Sequence, residues 1–236
     1  MLFISLNAYA QTSFTYKIKY DMQLSYSGIK KLNSELLLNN IKAVFFFKEA
    51  SPVQNNSRAN ADSFYIEIVD TSTNYVITNL SNNLLVELGR LPGVKDPFDV
   101  VESIPFIDWK ISNESKKINN FKTIKATCRF RGRNYIVWFT PDLPTSFGPW
   151  KLHGLPGAIL EAKDDMNQVV FIATSIDKVV SVDKTDKLKK QEVTREHFKK
   201  KQNAFFDDMG KNIAAKMGRG FSVEVKTTNA KAIEID

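Results

Sequence analysis

The chain has 236 residues, 43% of them hydrophobic and 25% charged, which is an ordinary composition for a globular protein. Its single cysteine, Cys128, excludes an internal disulfide and any zinc site built from several cysteines. No apolar run approaches the ~20 residues that span a bilayer as a helix. The net charge of +7 comes mainly from residues 183–216, which we interpret as the solvated face of a helix rather than an anion-binding surface.

The first ten residues, MLFISLNAYA, combine a short apolar run with the Ala8-Tyr9-Ala10 pattern that precedes cleavage of secretory signals. We therefore expect residues 1–10 to be the remnant of a signal peptide and residues 11–236 to form one exported domain. The alternative is a short N-terminal strand. Export predicts a location in the periplasm or at the outer membrane, and it disfavours nucleic acid as a partner.

Strict alternation of apolar and polar residues begins at residue 14 and predicts one long, half-buried strand. The apolar positions are Phe14, Tyr16, Ile18, Tyr20, Met22, Leu24 and Tyr26. Further strands are expected at 36–47, 64–69, 75–80, 84–88, 106–111, 121–130, 135–140, 158–162, 169–176, 221–225 and 232–235. Because short turns separate many of them, these strands favour an antiparallel sheet over a parallel, doubly wound one.

Two segments depart from the strand pattern. Residues 51–62 are polar and rich in asparagine, which predicts a surface loop. Residues 194–217 predict an amphipathic helix with Thr194 as its N-cap. The apolar side of this helix carries Phe198, Phe205, Met209 and Ile213. The predicted fold is therefore α+β and mainly β: a large curled antiparallel sheet, open or a partial barrel, with one long C-terminal helix.

Residues 138–160 form an apolar segment that joins two predicted strands and carries four prolines, and we call it the proline segment. Each proline restricts the preceding residue to extended backbone, so the segment is stiff in spite of its length. Leu155-Pro156-Gly157-Ala158 predicts a type II turn. Four apolar side chains either fold inward and close one end of the core or line a binding surface. They belong to Phe147, Trp150, Leu152 and Leu155.

Three arginines at a period of two place three cations on one face of a predicted strand. Such a row is suited to a carboxylate or phosphate ligand, and equally to ion pairs with acidic residues on a neighbouring strand. Together with the proline segment, it completes the candidate surface for a ligand or partner. Its residues are Trp138, Phe147, Trp150, Leu152, His153, Leu155, Arg129, Arg131 and Arg133.

Motifs of the common catalytic classes are absent from the sequence: it has no G-x-S-x-G elbow, no P-loop and no dinucleotide fingerprint. Two histidines are too few for a histidine-rich metal site. A hydrolase would have to pair Ser146 with His153 and a distant acid, and nothing in the local sequence orients that pair. We therefore predict no catalytic residue, no metal and no cofactor, and favour a non-enzymatic role.

The stretch GRNYIVWFTPDLPTSFGPWKLHGLPGAIL resembles the signature of the GLPGLI family, exported proteins of Bacteroidota with no assigned activity. The hexapeptide is Gly154-Leu155-Pro156-Gly157-Ala158-Ile159, with Ala158 in place of the family's leucine. Further matching residues are Arg131-Gly132-Arg133, Tyr135, Trp138-Phe139, Gly148-Pro149-Trp150, Lys125-Ala126-Thr127 and Trp109. Thr123 occupies a position where the family often has a cysteine. The resemblance implies an envelope location, a β-rich fold and proximity to outer-membrane transport systems.

The sequence as a whole predicts an exported cell-envelope protein without enzymatic activity. We expect it to bind a hydrophobic, lipid-like or peptide ligand, or to dock on an outer-membrane partner such as a transporter. The alternative is an envelope hydrolase that uses Ser146 and His153.

Overall fold

The structure, a computed structural model, describes residues 13–26, 28–50, 57–60, 63–68, 72–91, 94–217, 222–227 and 233–235. The expected signal remnant at residues 1–10 lies outside this range. The strands are β1 Ser13–Ser25, β2 Ile29–Leu38, β3 Lys42–Glu49, β4 Ser57–Asn60, β5 Ser63–Ile68, β6 Asn74–Asn79, β7 Leu84–Gly89, β8 Phe98–Ser103, β9 Lys110–Ile118, β10 Phe121–Phe130, β11 Arg133–Thr140, β12 Ala158–Asp164, β13 Val169–Val182, β14 Gln191–Thr194 and β15 Ser222–Thr227. A 3-10 helix spans Thr185–Leu188, and helix α1 spans Arg195–Met217.

Twelve strands form one open sheet in the order β14-β8-β7-β6-β3-β2-β1-β13-β12-β11-β10-β9. Strands β15, β5 and β4 form a second, smaller sheet. Neighbours in the large sheet run antiparallel, except that β14 pairs with β8 in parallel. The predicted mainly β fold, with a large open antiparallel sheet and one C-terminal helix, is confirmed.

One face of the large sheet builds the main core. In β1 the alternating residues from Ile18 to Leu24 are buried, as the sequence pattern predicts. Tyr20 donates a hydrogen bond from its hydroxyl to the carbonyl of Ile159, 2.7 Å away, and so ties β1 to β12 across that core. A smaller apolar cluster lies on the opposite face around Val44 and Tyr75, where Leu188 of the 3-10 helix packs against it.

The strand expected at 36–47 is in fact two strands, β2 and β3, so this prediction is wrong. The turn between them is held by Asn39, whose side-chain oxygen accepts hydrogen bonds from the amides of Ile41 and Lys42 at 2.9 and 2.8 Å. An asparagine that satisfies the backbone of a turn is the signal that marks this break. The apolar residues on both sides of it hid the turn in the sequence pattern.

Two strands, β8 and β14, were not expected from the sequence, and the other differences lie in polar and terminal segments. The strand expected at 106–111 runs instead from Lys110 to Ile118 as β9, a polar edge strand whose solvent exposure leaves little apolar signal. Residues 57–60 of the expected surface loop form β4. Residues 233–235, expected in a strand, lie outside the strands, although Ile233 is fully buried.

Helix α1 matches its predicted extent. Thr194 acts as the N-cap, because its hydroxyl accepts a hydrogen bond from the amide of His197 at 3.2 Å. Phe198 on the apolar side of the helix packs against Phe98 of β8, with ring centroids 6.1 Å apart. Gly89 of β7 lies so close to the helix that a Cβ at this position would collide with the ring of Phe198. The helix therefore lies against β7 and β8. Among the residues that the structure describes, no helix combines the length and apolar character of a membrane span.

Candidate functional site

The proline segment packs its apolar side chains into the core. Phe147, Trp150, Leu152 and Leu155 are all buried. The Trp150 ring lies 5.8 Å from that of Phe130 and 6.4 Å from that of Tyr135. Of the two arrangements that the sequence left open, these contacts correspond to the inward-folded one. Whether any of these side chains also contacts a ligand stays a prediction.

Backbone hydrogen bonds give the segment its shape. The amide of Gly148 donates a hydrogen bond to the carbonyl of Leu152 at 2.9 Å. Trp150, which lies between these two residues, has a positive φ of 56°. The predicted type II turn at Leu155–Ala158 is wrong, because Gly157 lacks the positive φ that such a turn requires. Glycine is needed there for a different reason: a Cβ on Gly157 would lie 2.2 Å from the carbonyl oxygen of Thr140.

His153 is fixed by three carbonyl interactions. Its Nδ1 lies 2.8 Å from the carbonyl of Lys151, and its Nε2 lies 3.0 Å from that of Pro105. Trp109 donates from Nε1 to the carbonyl of His153 itself at 2.8 Å. Burial lowers the pKa of His153, while the two carbonyl acceptors act in the opposite direction. Both ring nitrogens thus lie within hydrogen-bond distance of backbone carbonyls, and among the described residues neither of them bonds the hydroxyl of Ser146.

The three arginines do not share a strand face, so the predicted row is wrong. Arg131 and Gly132 form the tight turn between β10 and β11, with φ of 49° and 79°, the pattern of a type I′ hairpin. Arg129 is exposed on β10, whereas Arg133 is buried at the start of β11. Two of them pair with carboxylates: Arg131 with Glu102 at 2.6 Å and Arg133 with Asp164 at 2.7 Å.

Lys151, from the proline segment, lies at the centre of a buried charge cluster. Its side chain is 1% exposed, and Nζ lies 2.6 Å from Glu87 of β7, 2.5 Å from Glu234 and 3.6 Å from Glu102 of β8. Two further cations complete the charge balance: Arg131 contacts Glu102, and Arg195 at the start of α1 contacts Glu234. The cluster thus joins two strands, the proline segment, the C-terminal segment and the helix.

Two carboxylates of this cluster, Glu87 and Glu234, have pKa values that are shifted in opposite directions. Burial raises the pKa of Glu87, reinforced by the neighbouring carboxylates and opposed by Lys151. Burial acts the same way on Glu234, but Lys151 and Arg195 outweigh it and hold the pKa of that carboxyl below its ordinary value. Burial acts to lower the pKa of Lys151, yet its two carboxylate partners hold it above the ordinary value. These shifts are those of a structural ion-pair cluster.

Trp138, the remaining predicted binding residue, projects from the face of the sheet opposite to Val137 and Phe139, and its half-buried side chain still packs against the main core. Its ring is half-buried beneath the ammonium group of Lys116, 4.5 Å from the ring centre, and Lys116 also bonds Glu161 at 2.6 Å. Strand register places Trp138 in a row that crosses seven strands on this face. The row consists of Lys125, Trp138, Glu161, Ile172, Asp21, Asn33 and Lys48.

The same face contains an open groove of about 550 Å³ over β1, β2 and β3, which we call the sheet groove. Its floor consists of two rows of three side chains in register, and Thr73 and Thr174 add to its walls. The rows are Lys19, Glu35 and Phe46, and Asp21, Asn33 and Lys48. Four of the six floor side chains are exposed, while Glu35 and Phe46 are half-buried.

The sequence pattern did not reveal the sheet groove. Its floor residues are the polar positions of alternating strands, which a periodicity argument assigns only to solvent. Their grouping depends on the pairing of β1 with β2 and of β2 with β3. The charge cluster had one signal, a lysine between Trp150 and Leu152 in an otherwise apolar run, but its partners are distant in sequence.

Comparison with known proteins supports the fold and goes no further. The sequence matches no protein-family model and no curated protein. Among solved structures, the chain is similar to PNGF-II in its C2 and P21 crystal forms, with a TM-score of 0.58 and 18% sequence identity for each. The alignments cover 83% and 82% of this chain but only 34% of the PNGF-II chain. This chain therefore spans about a third of the length of the PNGF-II chain, and the likeness shows a similar fold over that part.

Proposed function

We propose that this chain is an exported, non-enzymatic protein of the cell envelope that binds its ligand on the exposed face of the large sheet. The observation that carries the proposal is the sheet groove, whose volume of about 550 Å³ lies within the range of small-ligand sites. Its side chains come from adjacent, fully paired strands, so the backbone positions from which they project are fixed before any ligand arrives.

The sheet groove is a better binding surface than the interior of the proline segment. To contact a ligand, Phe147 and Trp150 would have to leave a packed core, at a cost of several kcal/mol for each aromatic side chain. The segment instead supports the scaffold, because Lys151 ties it to β7 and β8. The groove is open to solvent, and its floor carries five polar side chains and one apolar one, so a ligand with polar groups is favoured there over a purely apolar one.

The envelope location rests on the Ala8-Tyr9-Ala10 pattern and on the resemblance to exported GLPGLI proteins. That resemblance also supports an outer-membrane partner close to a transport system. The hydrolase alternative has no comparable support, since His153 is engaged by two backbone carbonyls. Fractionation of the native cells tests the location: the protein should leave with the periplasmic or outer-membrane fraction, and recovery in the cytosol would contradict export.

The binding proposal is tested with three immobilised proteins. Asn33→Trp places a bulky ring in the middle of the groove floor, while Lys117→Ala alters an exposed residue on the edge strand β9 and serves as the control. Each immobilised protein is incubated with the low-molecular-mass fraction of an extract of the native envelope, and the compounds that it retains are identified by mass spectrometry. We expect the wild type and the control to retain a compound that Asn33→Trp does not. Equal retention by all three, or none by any, would overturn the proposal.

A further inference from the structure

The five polar side chains of the groove floor have no hydrogen-bond or ion-pair partner among the described residues. They belong to Lys19, Asp21, Asn33, Glu35 and Lys48. The charge cluster around Lys151 shows the opposite arrangement, in which ammonium and carboxylate groups saturate one another at 2.5 to 2.6 Å. The groove therefore presents hydrogen-bonding groups that an incoming molecule can use.

The charges on the groove floor cancel. Two lysines and two carboxylates give a net charge of zero, and they alternate across the strands: Lys19 lies opposite Glu35, while Asp21 and Lys48 lie on either side of Asn33. A strongly anionic or cationic ligand gains no net attraction from such a floor. A neutral ligand gains from every group, provided that it both donates and accepts hydrogen bonds.

Hydroxyl groups meet that requirement, since each has one donor and two acceptor lone pairs. Ammonium groups of Lys19 and Lys48 donate to hydroxyl oxygens, carboxylates accept from hydroxyl hydrogens, and the amide of Asn33 does both. Phe46, half-buried at the end of the first row, offers an apolar surface to the C–H groups of a ring. A ring that is polar at its edge and apolar on its face matches this combination.

Two other ligand classes fit less well. An extended peptide usually binds a sheet by adding a strand at an edge, where backbone groups are free. Strands β1, β2 and β3 are interior to the sheet and are paired on both sides, so their backbone offers no such edge. An acyl chain binds best in an enclosed pocket that shields it from water, whereas this groove is open and its floor side chains are five polar ones and Phe46.

On these grounds we propose that the sheet groove binds a neutral oligosaccharide. The inference rests on the proposed function, because it names the class of ligand that the groove takes. The volume of about 550 Å³ accommodates a short segment of such a chain, and the open side of the groove lets a longer chain continue beyond it.

The test uses defined neutral oligosaccharides of two to six glucose, xylose, mannose or N-acetylglucosamine units, with binding measured by titration calorimetry. Four proteins are compared: the wild type, Asn33→Ala and Glu35→Gln in the groove, and Lys117→Ala on the edge strand. Asn33 and Lys117 are exposed and Glu35→Gln is isosteric, so circular dichroism and melting curves should show that all four fold alike.

We expect at least one series to bind the wild type and the control equally, and each groove variant to weaken that binding tenfold or more. Raising the salt concentration from 0.05 to 0.5 M should change the affinity by less than threefold, because the ligand carries no charge. Sugar binding that the groove variants leave unchanged would overturn the inference.

Failure of this inference can be told apart from failure of the proposed function. If no oligosaccharide binds, but Asn33→Trp still abolishes retention of a peptide or lipid from the envelope extract, the oligosaccharide assignment is wrong and the groove remains the binding site. If no compound of any class is retained in a groove-dependent manner, both proposals are wrong.

Discussion

Replacing Lys151 with methionine should destabilise the fold severely. The substitution keeps an unbranched side chain as far as Cε but removes the ammonium group that bonds Glu87 and Glu234 at 2.6 and 2.5 Å. Because Lys151 is 1% exposed, those carboxylates would be left in the interior without their central counter-charge. Removing one partner of a buried pair costs about 3–5 kcal/mol. For a chain of this length, that lowers the melting temperature by on the order of 10 °C.

The matched control is Lys116→Met. Lys116 also bonds a carboxylate at 2.6 Å, that of Glu161, but its side chain is 37% exposed, and surface pairs contribute about 0–1 kcal/mol. Urea unfolding at pH 7.5 measures both variants. If Lys151→Met costs no more than Lys116→Met, the interpretation of the cluster as a buried structural element is wrong. Adding Glu87→Gln to Lys151→Met should recover part of the lost stability, since it removes one uncompensated charge.

The pH dependence of the Lys151→Met variant follows from Glu87. Burial raises the pKa of Glu87 in the folded state, so its contribution to stability is present in full below its unfolded pKa and is lost as the pH rises through the folded value. Lys151 lowers the pKa of Glu87, so the folded-state pKa of Glu87 is higher in the Lys151→Met variant, and the stability lost as the pH rises is larger in the variant than in the wild type. The stability difference between the variant and the wild type should therefore shrink between pH 8 and pH 5, and a difference that widens toward pH 5 would refute this reasoning.

Other predictions concern the proline segment, the helix and the thiol. Gly157→Ala should destabilise the fold by about 3 kcal/mol in urea unfolding, because the new Cβ meets the backbone of Thr140, whereas Gly210→Ala in α1 has free space and should stabilise it by about 0.5–1 kcal/mol. Burial raises the pKa of the Cys128 thiol to about 12, so a thiol reagent at pH 8 should modify Cys128 only after unfolding. Rapid modification of the native protein would contradict its burial.

The sequence predicted the elements that have a strong period. Strand β1 and helix α1 were both identified because their apolar residues recur at 2.0 and 3.6 positions. The edge strand β9 was misplaced, because its solvent-exposed residues carry no apolar alternation. The strands expected at 121–130 and 135–140 left a break that contains the turn at Arg131-Gly132, but the three arginines were still assigned to one strand face, because their period-two pattern continues through the hairpin.

The candidate site was harder to predict than the fold. The proline segment was recognised as conformationally restricted, but its sequence did not decide whether its aromatic side chains face the core or a ligand. That choice depends on Phe130 and Tyr135, which pack against Trp150 from a neighbouring hairpin. The sheet groove depends on pairings between Asn33 and its neighbours on β1 and β3, and these exist only once the strands are in register.

The most direct test of the account is to map where a ligand contacts the protein in solution. Amide chemical shifts of the labelled protein are recorded during titration with the envelope fraction that the wild type retains and Asn33→Trp does not. The account predicts that the largest changes fall at residues 19–21, 33–35 and 46–48, with little change at 147–155. Changes concentrated at 147–155, with the groove residues unaffected, would contradict it.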